Sequence, residues 1–249
     1  MERNLHYEAI VLKITKMPEG HALVDFLLKE QKSAKHIRAF FYGLQKTKKN
    51  YGLRQFQSGK LWLYFNPIKN SYKVIDFQVT EIRPGLSESL IRVCAASFAC
   101  ELALKTHGNI DFLLFGAFLD GISRSSDEAC KLAFLRFLWR FINYSGLAPQ
   151  YELCTACGKN FIDENVSAYF EKSDFELYCR DCIDKDVSLF FVLSPESLRF
   201  LTSIDALPAS ESRKIVLSEK AYRELHAFLL FLVQGLLGER LKTLELGLL

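Results

Sequence analysis

The sequence predicts an α+β protein in two parts: a small N-terminal β-barrel, then a helical bundle interrupted by a four-cysteine ribbon. Three observations lead there. The hydrophobic period changes from about two residues to about 3.6 at Arg83-Pro84-Gly85. Charge divides at the same place: residues 1–83 carry 15 Lys and Arg against seven acids, a balance of +8, and the remainder carries 17 against 22, a balance of −5. Finally, the cysteines at 154, 157, 179 and 182 form the pattern C-x2-C-x21-C-x2-C.

The barrel comes first. The segments YEAIVLKI, ALVDFLLK, KHIRAFFY, KLWLYF and YKVIDFQVTEI are short and rich in β-branched and aromatic residues. Turn material separates them: Pro18-Glu19-Gly20, Gly43, Gly52, Ser58-Gly59 and Asn66-Pro67. Five such strands within about 80 residues fit a small closed barrel. After Pro84, apolar residues at Leu86, Leu90, Cys94, Phe98 and Leu102 mark a helical stripe that ends at Gly108-Asn109. A second helix is expected over 110–122. A third, capped by Asp127 and running to Gly146, is apolar almost all round and suits the centre of a bundle. Ser194-Pro195-Glu196 and Ser218 are expected helix starts, with Ser as N-cap and Pro195 in the first turn. Residues 1–83 are thus expected to form the barrel and 84–249 the helical part, with a ribbon over 151–186 inserted in it.

Composition limits the function classes. With 249 residues, 49% of them hydrophobic, the chain can bury a sizeable core without disulfides. The longest strongly apolar run, Ala227–Leu237, is 11 residues, against about 20 for a membrane span. No stretch of signal-peptide length opens the sequence, so a cytoplasmic location and reduced thiols are expected, which favours a metal over disulfides for the paired cysteines. Each CxxC turn offers two thiolates, and four thiolates complete a tetrahedron around Zn²⁺ with no position left for water, as in a structural site. Cys94, Cys100 and Cys130 sit singly on apolar helix faces and read as core residues. His6-Tyr7-Glu8 matches the H-x-E of zinc deaminases, but Leu153 stands where their proline precedes the CxxC. Gly59-Lys60 lacks the remaining residues of a phosphate-binding loop and reads as a turn.

A nucleic-acid surface is expected over His36–Phe65. Lys35, Arg38, Lys46, Lys48, Lys49, Arg54 and Lys60 supply cations. If Ile37, Phe41, Leu61, Leu63 and Phe65 point inward, then Arg38, Phe40, Tyr42, Trp62 and Tyr64 point outward, and Trp62 and Tyr64 become candidates for base stacking. A zinc-ribbon adaptor whose barrel is only a scaffold is the rival reading; a zinc enzyme is a third.

Five passages, in this order and spacing, extend along nearly the whole chain: YEAIVLK, the basic loop leading to GLRQFQ, RPGL, INYSGLAPQYELCTACGK and GERLKTLELGLL. Together they resemble the bacterial RecO family of DNA repair and recombination mediators. One departure stands out: where the family usually has a more basic Lys-Gly-Ala-Arg-like stretch at the end of the third strand, this chain has Phe41-Tyr42-Gly43-Leu44-Gln45. The resemblance implies an oligonucleotide-binding (OB) barrel and no catalytic chemistry or small-molecule substrate. It also implies binding and annealing of single- and double-stranded DNA, partnership with RecR and with the acidic C-terminal tail of single-strand binding protein, help in loading RecA, and association with the nucleoid. For the acidic tail, Arg136 and Arg140 beside Phe137 and Trp139, and Arg240 with Lys242, are the candidate residues.

Overall fold

A computed structural model describes residues 3–31, 33–42, 52–184 and 186–246. Strands β1 (Asn4–Lys16), β2 (Ala22–Lys29), β3 (Ala34–Phe41), β4 (Ser58–Asn66) and β5 (Ser71–Glu81) close into a barrel in the order β1-β2-β3-β5-β4, as in an OB fold. The neighbours pair antiparallel except β3 and β5, which run parallel and, among the described residues, pair at Ala39–Tyr72 and Phe40–Lys73. Alternation fills the interior with Ala9, Val11, Val24, Phe26, Leu28, Ile37, Phe41, Leu61, Leu63, Val74 and Phe77.

A bulge between Val11 and Lys13 shifts the register of β1 against β2. The inward positions of β1 consequently run Ala9, Val11 and then Ile14. Gly59 is required where β4 crosses β5, because a Cβ there would lie 2.4 Å from the Gln78 carbonyl.

By compactness the chain divides into one unit of residues 1–131 with 240–249 and a second of residues 132–239. In the first unit α1 (Leu90–Lys105) and α2 (Phe112–Ser123) follow the barrel. A 3₁₀ turn over Pro84–Glu88 comes before α1, which Ser89 caps, so the helix starts four residues beyond the expected Leu86. Arg83 is almost fully buried and donates to Asp120 on α2 (2.6 Å), Ser58 Oγ (2.9 Å) and the Phe56 carbonyl. Barrel and helices are thereby tied at the point where the period changes.

The division falls within α3 (Asp127–Tyr144). Its N-cap is Ser126, whose hydroxyl accepts from the Ala129 amide at 3.3 Å; Asp127, the expected cap, instead accepts from Ser89 Oγ. In the second unit Phe134, Leu135, Phe137, Leu138, Trp139, Phe141 and Ile142 are all buried, which makes α3 the central helix foreseen. A three-stranded sheet follows, ordered β7-β6-β8: β6 (Ala168–Glu171), β7 (Glu176–Tyr178) and β8 (Phe190–Leu193). Then come α4 (Pro195–Ala206), the single turn α5 (Ala209–Ser212) and α6 (Glu219–Leu237). Ser194 and Ser218 cap α4 and α6 as expected. Phe170 of β6 meets Phe228 of α6 edge-on at 5.0 Å. Among the described residues no helix is long and apolar enough to cross a membrane.

Candidate metal centre and nucleic-acid surface

Each of the two CxxC segments forms a hydrogen-bonded turn. In the first, the Cys154 amide donates to the Lys159 carbonyl and the Gly158 amide to the Cys154 carbonyl, at 2.9 and 2.8 Å. Gly158 takes φ 71°, a conformation glycine adopts without strain. The second is a 3₁₀ turn over Arg180–Cys182, closed by the Cys182 amide on the Cys179 carbonyl at 3.1 Å. The Thr155 amide donates to the Leu177 carbonyl (2.9 Å), and Lys159 meets Asp181 (2.8 Å), so the turns face one another.

All four sulfurs lie within 4.8 Å of one another, with Cys157 Sγ and Cys179 Sγ 3.7 Å apart. Thiolates at about 2.3 Å from a tetrahedral ion would stand roughly 3.8 Å apart. The donor set therefore fits such an ion. Burial disfavours the Cys154 thiolate, but hydrogen bonds from the Cys179, Cys157 and Ala156 amides outweigh it and bring that thiol down to about 7. Burial raises Cys179, and hydrogen bonding to Cys157 raises Cys182 to about 12. The Cys154 thiolate is readily formed; those of Cys179 and Cys182 need a compensating cation. Cys94, Cys100 and Cys130 are buried elsewhere, with burial pushing the thiols of Cys100 and Cys130 up to about 12.

On the barrel, the structure separates inward from outward residues. Ile37, Phe41, Leu61 and Leu63 line the interior as expected, whereas Phe65 is only half-buried and packs on Tyr72 at 5.1 Å. Trp62 and Tyr64 are half-buried on the outer side of β4. Trp62 pairs with His6, their rings 4.9 Å apart, and Tyr64 with Asn4. Tyr42 is 52% exposed, stacks on Phe40 at 6.1 Å and lies under Lys73 Nζ at 5.2 Å. Lys35, Arg54 and Lys60 are exposed. Lys46, Lys48 and Lys49 lie outside the described residues.

Arg38 has a partner that the sequence reading missed. It donates to Asp25 through Nε (2.8 Å) and Nη2 (3.3 Å), and His36 Nε2 meets the same carboxylate at 2.8 Å. Burial of Asp25 raises its proton affinity, but the hydrogen bonds from His36 and Arg38 prevail and hold the carboxyl below its ordinary range. The available signal was a lone acid in the apolar run ALVDFLLK.

The basic residues proposed for an acidic peptide separate. Arg136 is only 6% exposed, donates to the Ile215 carbonyl at 3.0 Å, lies over Phe200, and leaves Nε buried without a hydrogen-bond partner. Burial and then the neighbouring Arg140 and Arg213 lower it to about 10. Phe137 and Trp139 are fully buried, so neither offers an open apolar wall. Arg140 is half-buried; Arg240 and Lys242 are exposed.

A closed five-stranded barrel followed by helices, with a four-cysteine cluster capable of holding a metal ion, defines a class of modular barrel-and-ribbon proteins. The family model described as "Recombination protein O C terminal" matches residues 87–245, and the chain belongs to the RecO family. It is similar to the DNA repair protein RecO of Syntrophotalea carbinolica, 27% identical over 205 residues that cover 78% of this chain and 76% of that one. It is also similar to the DNA repair protein RecO of Desulforamulus reducens, 21% identical over 243 residues that cover 96% and 91% of the two chains.

Proposed function

We propose that the chain is a non-catalytic DNA-binding mediator of DNA repair and recombination. The family match over residues 87–245 carries this reading, supported by relatives named as DNA repair proteins. In this role the barrel binds single- and double-stranded DNA. Lys35, Arg54 and Lys60, with Lys46, Lys48 and Lys49, contact phosphates, while Trp62 and Tyr64 stack on bases. Arg38 contributes through the part of its guanidinium not held by Asp25. Neutralising phosphates on two strands lowers their repulsion, and base pairing then drives annealing without a nucleotide cofactor. Acting with RecR, the protein helps load RecA on DNA coated by single-strand binding protein. The acidic tail of that protein binds the region after Pro84, with Arg140 and Arg240 the accessible candidates and Arg136 a buried support. One structural Zn²⁺ sits on Cys154, Cys157, Cys179 and Cys182.

The test is an annealing assay with complementary oligonucleotides, without ATP and with salt varied. Acceleration that fades as salt rises is expected. Binding to the acidic tail without any binding to DNA would replace this reading with that of a protein adaptor.

A further inference from the structure

Outside the barrel's aromatic face, the first unit contains a cleft of about 410 Å³ whose lining includes Leu12, Lys13, Gln55, Glu101, Lys105 and Lys242. Its three lysines come from three separate elements, and the chain takes specific measures to place two of them there.

The first measure is the β1 bulge. Strict alternation after Ala9 and Val11 would send residue 13 into the barrel, where an ammonium could not be accommodated. Because the bulge shifts the phase and Ile14 takes the next inward place, Lys13 is exposed at the cleft while Leu12 is fully buried beneath it. The second measure is Glu101 on α1. Its carboxylate accepts from the Lys242 amide (2.8 Å), the Thr243 amide (3.0 Å) and Thr243 Oγ1 (2.9 Å). Glu101 thus fastens the turn over Lys242–Leu246 to α1, and Leu241 is fully buried beside it. Among the described residues lining the cleft, the one acid, Glu101, accepts from backbone and hydroxyl donors, and Lys13, Lys105 and Lys242 bring three cations to the same cleft.

Continuity supplies the ligand class. Gln55 in the cleft wall adjoins Arg54, one of the cations of the His36–Phe65 surface read from the sequence. The loop before β4 is tied to the bulge itself, through Phe56 N to Val11 O and Val11 N to Gln57 O, both 2.9 Å. Arg54 of the barrel surface and the cleft wall are thus joined through one short stretch of chain. Lysines set apart on a surface suit successive phosphates as point charges, whereas a carboxylate favours a planar arginine fork, which the cleft lacks.

The geometry points to a second phosphate-binding subsite, formed by Lys13, Lys105 and Lys242, that receives the sugar–phosphate backbone of a nucleic acid strand beyond the barrel. This rests on the DNA-binding reading above and extends the footprint to residues on α1 and on the segment after α6. Lys242 is thereby assigned to nucleic acid and not to an acidic peptide.

The test uses the full chain with single-stranded oligonucleotides of increasing length. Replacing Lys13, Lys105 and Lys242 together by Gln is expected to leave binding of the shortest bound oligonucleotide unchanged and to weaken binding of longer ones. The slope of log K against log salt for long strands should fall by about 2, at about 0.7 per lost contact. Amine-reactive labelling of the unaltered protein provides a readout independent of any variant: all three lysines should be protected by a long strand and not by the shortest. Full labelling of the three with the long strand bound, or a variant with an unchanged slope, overturns the subsite while DNA binding stands. Failure of the unaltered protein to bind any strand would overturn the underlying reading instead.

Discussion

The barrel strands are 8 to 13 residues long and close on themselves. The three strands near the cysteines have three or four residues each. The long strands bury a continuous apolar interior, so their outer faces are free to carry exposed aromatics and cations. The short strands cannot enclose a core of their own. They rely on Phe170 packed against Phe228 and its aromatic neighbours, and on two turns that bring four sulfurs together. One region is stabilised by area, whereas an ion on the four sulfurs would give the other a small number of strong bonds. Loss of a single residue should therefore have very different consequences in the two.

The largest expected effect is at the sulfurs. Ions held by four thiolates in small zinc peptides contribute on the order of 10 kcal/mol of binding free energy. Elemental analysis should find one zinc per chain. Replacing Cys154 and Cys179 by Ser should abolish it and expose residues 151–186 to limited proteolysis, while DNA affinity changes less than about twofold. Loss of DNA binding in that variant would mean that the two regions are not separable in this way.

Next is the barrel's outer face. Trp62→Ala should cost about 2 kcal/mol of single-strand affinity, one stacked base, with little effect on the melting temperature because the ring is outside the core. The combined Ala replacement of Lys46, Lys48 and Lys49 should weaken binding to all sequences alike and reduce the salt slope by about 2. Fluorescence titration over a salt series reads both.

A third effect tests the helical region away from the metal. Asp205 accepts from Trp139 Nε1 at 3.0 and 3.1 Å and from the Tyr151 hydroxyl at 2.8 Å. Asp205→Ala leaves both donors without their acceptor and should lower stability by about 2 kcal/mol in chemical denaturation. A change within a few tenths of a kcal/mol would show that water replaces the carboxylate.

The smallest effect is pH-dependent. Because Asp25 has a depressed pKa in the folded chain, its contribution is complete at neutral pH, above the ordinary value of 3.8, and is lost as acid protonates it. Thermal melts from pH 7 down to pH 3 should therefore show a fall in stability that is shallower in Asp25→Asn.

The two regions also differed in how far the sequence disclosed them. The four cysteines were legible because a metal site is written in residue type and spacing, and the five strands because alternation and turn residues are local signals. Ser194 and Ser218 were legible as caps for the same reason. What escaped depended on partners distant in the chain. β8, with the sequence FFVL, resembles a piece of any buried element until it pairs with β6. The role of Asp25 becomes visible only when β2 and β3 place His36 and Arg38 beside it. Asp127 and Ser126 are both good N-caps, and Ser89 decides between them by engaging the aspartate.

Glu101 and the segment it holds also bear on how the chain is made. Residues 240–246 belong by packing to the unit that begins at the barrel, and the hydrogen bond from Lys242 to Glu101 spans 141 positions of sequence. A ribosome therefore completes the barrel strands, α1 and α2 and then synthesises the whole second unit before the last piece of the first emerges. During that interval the site that Leu241 will fill remains open on the nascent unit. Assembly is a two-visit process, and at typical translation rates of about 5–20 residues per second the gap between visits lasts several seconds or more.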